Sequence, residues 1–318
     1  MQETFPVQDQ ADDIYDGLWK VFRVSEYLKF PFTLDEVANY FLPRRNLTAE
    51  QLRSILAGTK FPDIHFYIKD GYLLTNPNQL DSSRLEREKM SAAKLGSAAS
   101  FAGVLRRAVP FIRTVAVTGS VAYGSADKWD DIDLFIVTRR NRLWLSAFMT
   151  LVLVRLNKLL DLRPPHLSPF CLSYVHDEEG FEHESQMNRR NPLFARELLK
   201  ARPVAGVDQY KKILESNDWV GVFYSVPYAA KLIELKDGTD ERRVETRDRS
   251  KWFSFPLDWA EAMAYVFLSR YLRIRAYLTN LRLKSQGQNF RVFEPKISAV
   301  SCVYTSNFYE WLRAMWEE

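Results

Sequence analysis

Residues 114–138 read TVAVTGSVAYGSADKWDDIDLFIVT. The run TVAVT is short and β-branched, which suits a buried strand. Gly119 permits a tight backbone turn and a close ligand approach. Ser120 can open a short helix, whose free N–H groups form an anion site. Asp131 and Asp133 are two apart, so on a strand they point to one side, roughly 7 Å apart along the backbone. Ile132, Leu134 and Ile136 then face the other way and anchor that strand in a core. Two carboxylates beside a phosphate cradle are what a Mg²⁺-dependent phosphoryl or nucleotidyl transfer site requires. Mg²⁺ takes hard oxygen ligands and shares them with substrate phosphates. A Gly-Ser turn followed by a solvated acidic strand entry would give a similar string without chemistry.

Gly119-Ser120, a gap of ten residues, and Asp131-x-Asp133 between two apolar strands together resemble the signature of the nucleotidyltransferase superfamily that includes DNA polymerase beta. The segment GSVAYGSADKWDDIDLFIV is most similar to the small, minimal members of that superfamily. The resemblance implies that Gly119 and Ser120 hold the terminal phosphates of a nucleoside triphosphate, with Tyr123 beside them. It implies that Asp131 and Asp133 hold two metal ions, Mg²⁺ or Mn²⁺. Three further strings, DDIDLFIVTRRNRLW, CLSYVHDEEGF and NPLFARELLK, are similar to a group of uncharacterised bacterial and archaeal proteins. Those carry a winged-helix-like segment ahead of a nucleotidyltransferase domain, and the likeness spans most of residues 14–220.

The expected fold is accordingly α+β, or mixed α/β. A small mixed sheet of nucleotidyltransferase type is flanked by helices, with an N-terminal winged helix and a C-terminal helical region. Four divisions follow: 1–80 a winged helix-turn-helix, 81–110 a connecting helix, 111–225 the nucleotidyltransferase domain, and 226–318 the helical C-terminal region. In the first, Thr33 with Glu36 and Thr48 with Gln51 read as capping boxes, and Asp70-Gly71 reads as a hairpin turn. Residues 81–110 are rich in Ala and alternating charge. Leu143 to Leu160 reads as a core-facing helix, 164–176 as a third core strand led by Pro164 and Pro165, and 191–201 and 207–215 as helices. Lys231 to Lys251 reads as an exposed linker, 256–283 as a long helical stretch, SQGQN at 285–289 as a turn, and the tail as a final helix.

The composition is that of an ordinary globular chain: 318 residues, 47% hydrophobic and 26% charged. Cys171 and Cys302 have no disulfide or metal spacing, so they read as buried thiols of a reducing compartment. The acidic start reads as lacking a signal peptide, and the longest apolar run, 143–154, is too short to cross a bilayer. A cytoplasmic protein with no membrane partner is expected. Residues 1–80 carry eight Lys or Arg against eleven Asp or Glu, which disfavours DNA because phosphate contacts supply most non-specific affinity. Cations cluster instead at 139–163 and at 270–296, where Tyr271, Tyr277, Phe290 and Phe293 are interleaved. The second cluster suits RNA or a phosphate-rich substrate; a solvated basic helix packed on acidic segments of the same chain is the plainer reading.

The resemblance also implies a third carboxylate on the strand after the acidic one. Residues 168–176 hold Cys171, Leu172 and Ser173 at its middle, with no acid. Ser173 stands where the carboxylate is expected. Asp177, Glu178 and Glu179 come just beyond, Asp177 the first choice among them for a third metal ligand; a solvated turn over DEEG is the plainer reading. Tyr123 is a second departure, since many small members have Arg there. Of the four histidines, none pairs with Cys at zinc spacing, and His176 reads as structural rather than as a proton carrier. The expected activity is Mg²⁺-dependent transfer of a nucleoside monophosphate from a triphosphate to an acceptor, which is RNA, a protein or a small molecule. The rival readings are a weakly active or inactive nucleotide sensor or scaffold, and a winged-helix DNA-binding regulator.

Overall fold

A computed structural model describes residues 7–58, 65–76, 83–159, 170–237, 254–285, 292–306, 311–312 and 314–315. The expected lead-in Pro164–Pro165, most of the linker beyond residue 237, most of the 285–289 turn and much of the tail helix lie outside the described residues.

The chain opens with α1 (Val7–Leu28), β1 (Phe32–Thr33), α2 (Leu34–Tyr40), α3 (Ala49–Gly58), β2 (Tyr67–Lys69) and β3 (Tyr72–Leu74). The strands form a small sheet in the order β1-β3-β2. Both capping boxes form: Thr33 Oγ1 accepts the Glu36 N–H while Glu36 accepts the Thr33 N–H, and Thr48 and Gln51 repeat the exchange. Asp70 and Gly71 both take positive φ, as a tight two-residue hairpin turn demands. Leu18, Val21, Phe30, Val37, Leu52 and Leu73 close the core between them.

The connecting helix, α4 (Ser83–Ala108), is tied at both ends. Near its start Arg84 donates to the Pro31 carbonyl and pairs with Glu36 and Glu88, its guanidinium stacked on Phe30 and Tyr72. Further along, Ala98, Ala102 and Leu105 bury a close-packed stripe against the main sheet, while Ala92, Ala93 and Ala99 face outward.

That sheet is built from β4 (Ile112–Thr118), β5 (Ile132–Thr138), β6 (Phe170–Asp177), β7 (Arg202–Ala205), β8 (Phe293–Ile297) and β9 (Ser301–Ser306). Its order is β7-β4-β5-β6-β9-β8, with β5 and β6 parallel and all other neighbours antiparallel, so it is a mixed sheet. The alternation of β5 divides two cores. Ile132, Leu134 and Ile136 pack on one face with Leu105, Trp144 and Val175. Phe135 and Val137 pack on the other with Phe181, Leu198 and Tyr210.

The crossover between β5 and β6 contains α6 (Leu143–Leu159), and the second face is covered by α7 (Glu178–Met187), α8 (Pro192–Lys200), α9 (Val207–Glu215), α10 (Val220–Phe223) and α11 (Ser225–Asp237). Residues 231–237 therefore continue a helix and are no linker, with Lys231 buried against Glu234. The C-terminal part is helical over α12 (Ser254–Ser285), then turns into the β8–β9 hairpin that extends the main sheet. Pro295 sits on β8, the edge strand, where a missing N–H costs no ladder bond. Glu261 of α12 accepts the Trp144 and Leu145 N–H groups at the start of α6, and Trp144 Nε1 donates to the Ser298 and Ala299 carbonyls in the β8–β9 turn.

Candidate active site

β4 ends at Thr118, which pairs with Asp133 on β5; Asp133 pairs in turn with Cys171 on β6. The next residue, Gly119, opens the short helix α5 (Gly119–Ala122). Its φ of +63° is left-handed, and a Cβ placed on it would collide with Asp133 Oδ2. Glycine is therefore required here twice, by conformation and by the carboxylate seated against it. Ser120 follows, and its carbonyl accepts the Ser125 N–H at 2.9 Å, folding the loop back on itself.

The loop 125–131 delivers Asp131 to the same place. Lys94, wholly buried on α4, donates its ammonium to the Asp127 and Asp130 carbonyls, each at 2.5 Å. Ser91 Oγ accepts the Ala126 N–H at 3.0 Å. Asp127 Oδ1 accepts the Trp129 and Asp130 N–H groups, and Asp130 Oδ2 accepts the Asp127 N–H. Asp127 and Asp130 thus serve the backbone, and Asp130, Asp131 and Asp133 line the cleft.

The cleft has a volume of 460 Å³. Gly119, Ser120, Asp131 and Asp133 all line it. Thr118 Oγ1 lines it too and has no hydrogen-bond partner among the described residues. Val24, Tyr27 and Phe32 of the N-terminal module close one side, and Phe293 and Tyr304 of the hairpin line another. Trp129 stands at the cleft with 77% of its surface exposed.

Burial pushes the Asp133 carboxyl up to about 6, against the opposing bond from Ser173, with the charges of Asp131, Asp130 and Glu197 adding to the rise. Asp131 is also raised by burial, and Arg275 of α12 pulls it back down. Among the described residues neither aspartate is in a direct ion pair. Ser173 Oγ donates to Asp133 Oδ1 at 2.5 Å, so it supports the acid rather than supplying one.

Asp177 is not a third ligand. It pairs with Thr138 at the far end of the two strands, five positions along β5 and six along β6 from the Asp133–Cys171 pair, which is roughly 17 Å. It is fully buried and capped on both oxygens: Oδ1 accepts the Gly180 N–H at 2.8 Å and Oδ2 the Asn141 N–H at 2.9 Å. DEEG is not a solvated turn either; Asp177 is the N-cap of α7, with Glu178 and Glu179 in the first turn where the helix dipole favours them. Arg139 and Arg140 follow β5 at that same far end, where Arg140 pairs with Glu179. His176 is buried there as well, its pKa pushed down to about 4 by desolvation. No cluster of three or more His, Cys, Asp or Glu able to hold a metal exists among the described residues.

Tyr123 lines the cleft, but its hydroxyl already donates to Glu197 Oε1 at 2.6 Å. Sequence reading missed two residues that the fold brings beside it. Glu197 and Arg196 come from α8 and line the cleft. The Arg196 guanidinium lies 4.7 Å from the Phe41 ring centroid and 5.5 Å from that of Tyr123. Arg275 of α12 stacks 5.4 Å over Tyr304 and reaches Asp131 electrostatically. Only the strong amphipathic period of NPLFARELLK signalled that α8 packs on the sheet; nothing local signalled that Glu197 looks into the cleft.

Residues 99–199 match the family described as nucleotidyltransferase domain, a segment of about a third of the chain. No curated protein and no solved structure matches the chain.

Proposed function

Since residues 99–199 form a nucleotidyltransferase domain of the superfamily that includes DNA polymerase beta, we propose that the chain moves a nucleoside monophosphate from a nucleoside triphosphate to an acceptor in the 460 Å³ cleft. The single observation that carries this reading is the contact of Asp133 with Gly119, which sets an acid pair against a glycine-hinged turn.

A divalent metal such as Mg²⁺ suits the residues present. Asp131 and Asp133 stand two apart at the start of β5 and offer hard oxygens to the cleft, no direct cation neutralises them among the described residues, and desolvation raises the pKa of both. Asp131 and Asp133 would hold the ion, with phosphate and water completing the set. When bound, such an ion neutralises developing charge on the phosphates and helps align the attacking and leaving oxygens. The chain's own part is positioning. Gly119 lets the β- and γ-phosphates approach the backbone, and Ser120 offers a hydroxyl to them. Lys94 fixes the 125–131 loop so that Asp131 meets Asp133. Trp129 offers an exposed ring for a base to stack on.

One observation favours a second reading, a nucleotide sensor of low turnover: Ser173 occupies the place expected of a third carboxylate and bonds to Asp133. Pyrophosphate release with each nucleoside triphosphate plus Mg²⁺, screened over RNA, protein and small-molecule acceptors, separates the two. Release abolished by Asp131→Ala with Asp133→Ala supports transfer. Metal-dependent nucleotide binding without release supports the sensor, and equal binding by the wild type and the double variant removes the metal assignment.

A further inference from the structure

The exposed face of α12 is apolar and basic at once. A helix of 32 residues at a rise of about 1.5 Å per residue is ~48 Å long. Its inner side is accounted for: Ala264, Leu268, Leu272 and Ala276 pack on the main core and on Cys171 and Tyr304. Its outer side is not polar in compensation. Met263, Phe267, Ile274, Tyr277 and Leu281 recur at spacings that keep one helix face, and each has about half or more of its surface exposed. Helix α6 runs against it and extends the patch, with exposed Phe148, Val152 and Leu156 one turn apart and the Phe148 and Phe267 rings 5.9 Å between centroids. Helices apolar on both sides are normally covered on both, and a run of large apolar side chains exposed along two adjacent helices is the kind of patch that marks an interaction surface.

Charge identifies the partner. From residue 262 to 285 the helix has no Asp or Glu and five cations. Arg275 turns toward the cleft. Arg270 lies within the apolar stripe, and on a helical projection Arg273 and Lys284 border one edge and Arg282 the other; Arg155 of α6 adds a cation at the seam, donating to Tyr271 Oη at 2.6 Å. A second copy of the chain would bring these cations together with no acid on the facing stretch to offset them. A nucleic acid would use the cations and the rings but has no use for Ile274 and Leu281. An anionic lipid surface uses both, since acyl chains take the apolar stripe while headgroups take the flanking cations. No helix among the described residues is long and apolar enough to cross a membrane, so the helix would lie along the interface.

We propose that α12, with the exposed side of α6, binds the chain peripherally to anionic lipid bilayers. The test is co-sedimentation of the full chain with vesicles of pure phosphatidylcholine and with vesicles of phosphatidylcholine and phosphatidylglycerol in equal parts, at low and high ionic strength. The wild type is expected to bind the anionic vesicles at least ~10-fold better, with the excess lost at high salt. Phe267→Asp with Ile274→Asp is expected to weaken that binding ~10-fold or more, and Arg270→Glu with Arg273→Glu to remove the preference for phosphatidylglycerol. All four positions are exposed, and an unchanged circular dichroism spectrum checks that the fold is kept. Failure of the wild type to sediment with anionic vesicles overturns the proposal, as does binding unaffected by both double variants. A dimer in light scattering that Phe267→Asp with Ile274→Asp dissociates, without lipid binding by the wild type, assigns the face to a second copy instead and likewise overturns it.

Discussion

The parallel pair β5 and β6 carries an aspartate near each end, and the two ends are built on opposite plans. At the end where β5 begins, Asp133 is half-buried against Gly119, the Ser173 hydroxyl is its one side-chain donor among the described residues, and its carboxyl is pushed up to about 6. At the other end, Asp177 is buried deeper but receives two backbone N–H groups and opens a helix, while Arg113 pairs with Glu178 and Arg140 with Glu179 close by. The two ends differ in how far the chain itself satisfies the charge: Asp177 receives two backbone N–H groups, whereas Asp133 receives one side-chain hydroxyl among the described residues. The proposed function sits at the near, less satisfied end.

Exchange of the acids breaks the comparison most sharply. Asp133→Asn is expected to lower nucleotidyl transfer about 1000-fold or more, equivalent to ~4 kcal/mol of barrier, without loss of fold. Steady-state pyrophosphate release measures it, and a variant within threefold of wild type would detach Asp133 from the chemistry. Asp177→Ala should do the reverse. It removes the N-cap of α7 and strands two buried N–H groups, at a cost of about 3 to 4 kcal/mol in urea unfolding, while the folded fraction binds nucleotide as before.

The next contrast lies in pH. Asp133 has its pKa raised from 3.8 to about 6 in the folded chain. The unfolded state gives up this proton first, so the contribution to stability is full below pH 4 and is lost as pH rises to about 6. The loss is about 2 to 3 kcal/mol. Metal-free unfolding of wild type and Asp133→Asn across pH 4 to 7 should therefore diverge, with the variant the more stable by that amount at pH 7. Parallel curves would mean that Asp133 is solvated in solution.

What the sequence disclosed follows the same division. The near end is local: Gly119 and Asp133 are 14 positions apart, joined by one short turn and one loop between two adjacent strands, so spacing alone brought them together. The capping boxes at Thr33 and Thr48 and the Asp70-Gly71 turn were equally legible, because each is settled within four residues. The far end was misread because Asp177-Glu178-Glu179-Gly180 has the composition of a turn, and its helix is revealed only when Asn141, 36 residues earlier, closes on Asp177. Glu197 and Arg196, and the approach of Arg275 to Asp131, were missed since no periodicity reports which cleft a distant helix borders. The β8–β9 hairpin was missed because FEPKI carries a proline and its partner SCVYTS is short, and the pairing with β6 is what makes either a strand.

Ser173 gives the smallest expected effect and the finest discrimination. Its hydroxyl holds Asp133 at 2.5 Å and draws the carboxyl pKa down against burial. Ser173→Ala removes a donor to a buried charge and leaves a gap of one oxygen. The ionised form loses about 1 kcal/mol of support, so the metal-free titration of Asp133 moves up in pH. The folded chain is then slightly less stable at pH 7 and unchanged at pH 4, where the group is largely protonated in both variants. Turnover tells whether the serine does more than this. If it only supports Asp133, the deficit in Ser173→Ala shrinks as pH rises past the shifted titration, because ionisation is recovered. A deficit that persists undiminished at high pH would mean that the hydroxyl touches the reacting phosphate or its acceptor, and that β6 contributes directly to the near end in the place where a carboxylate was expected.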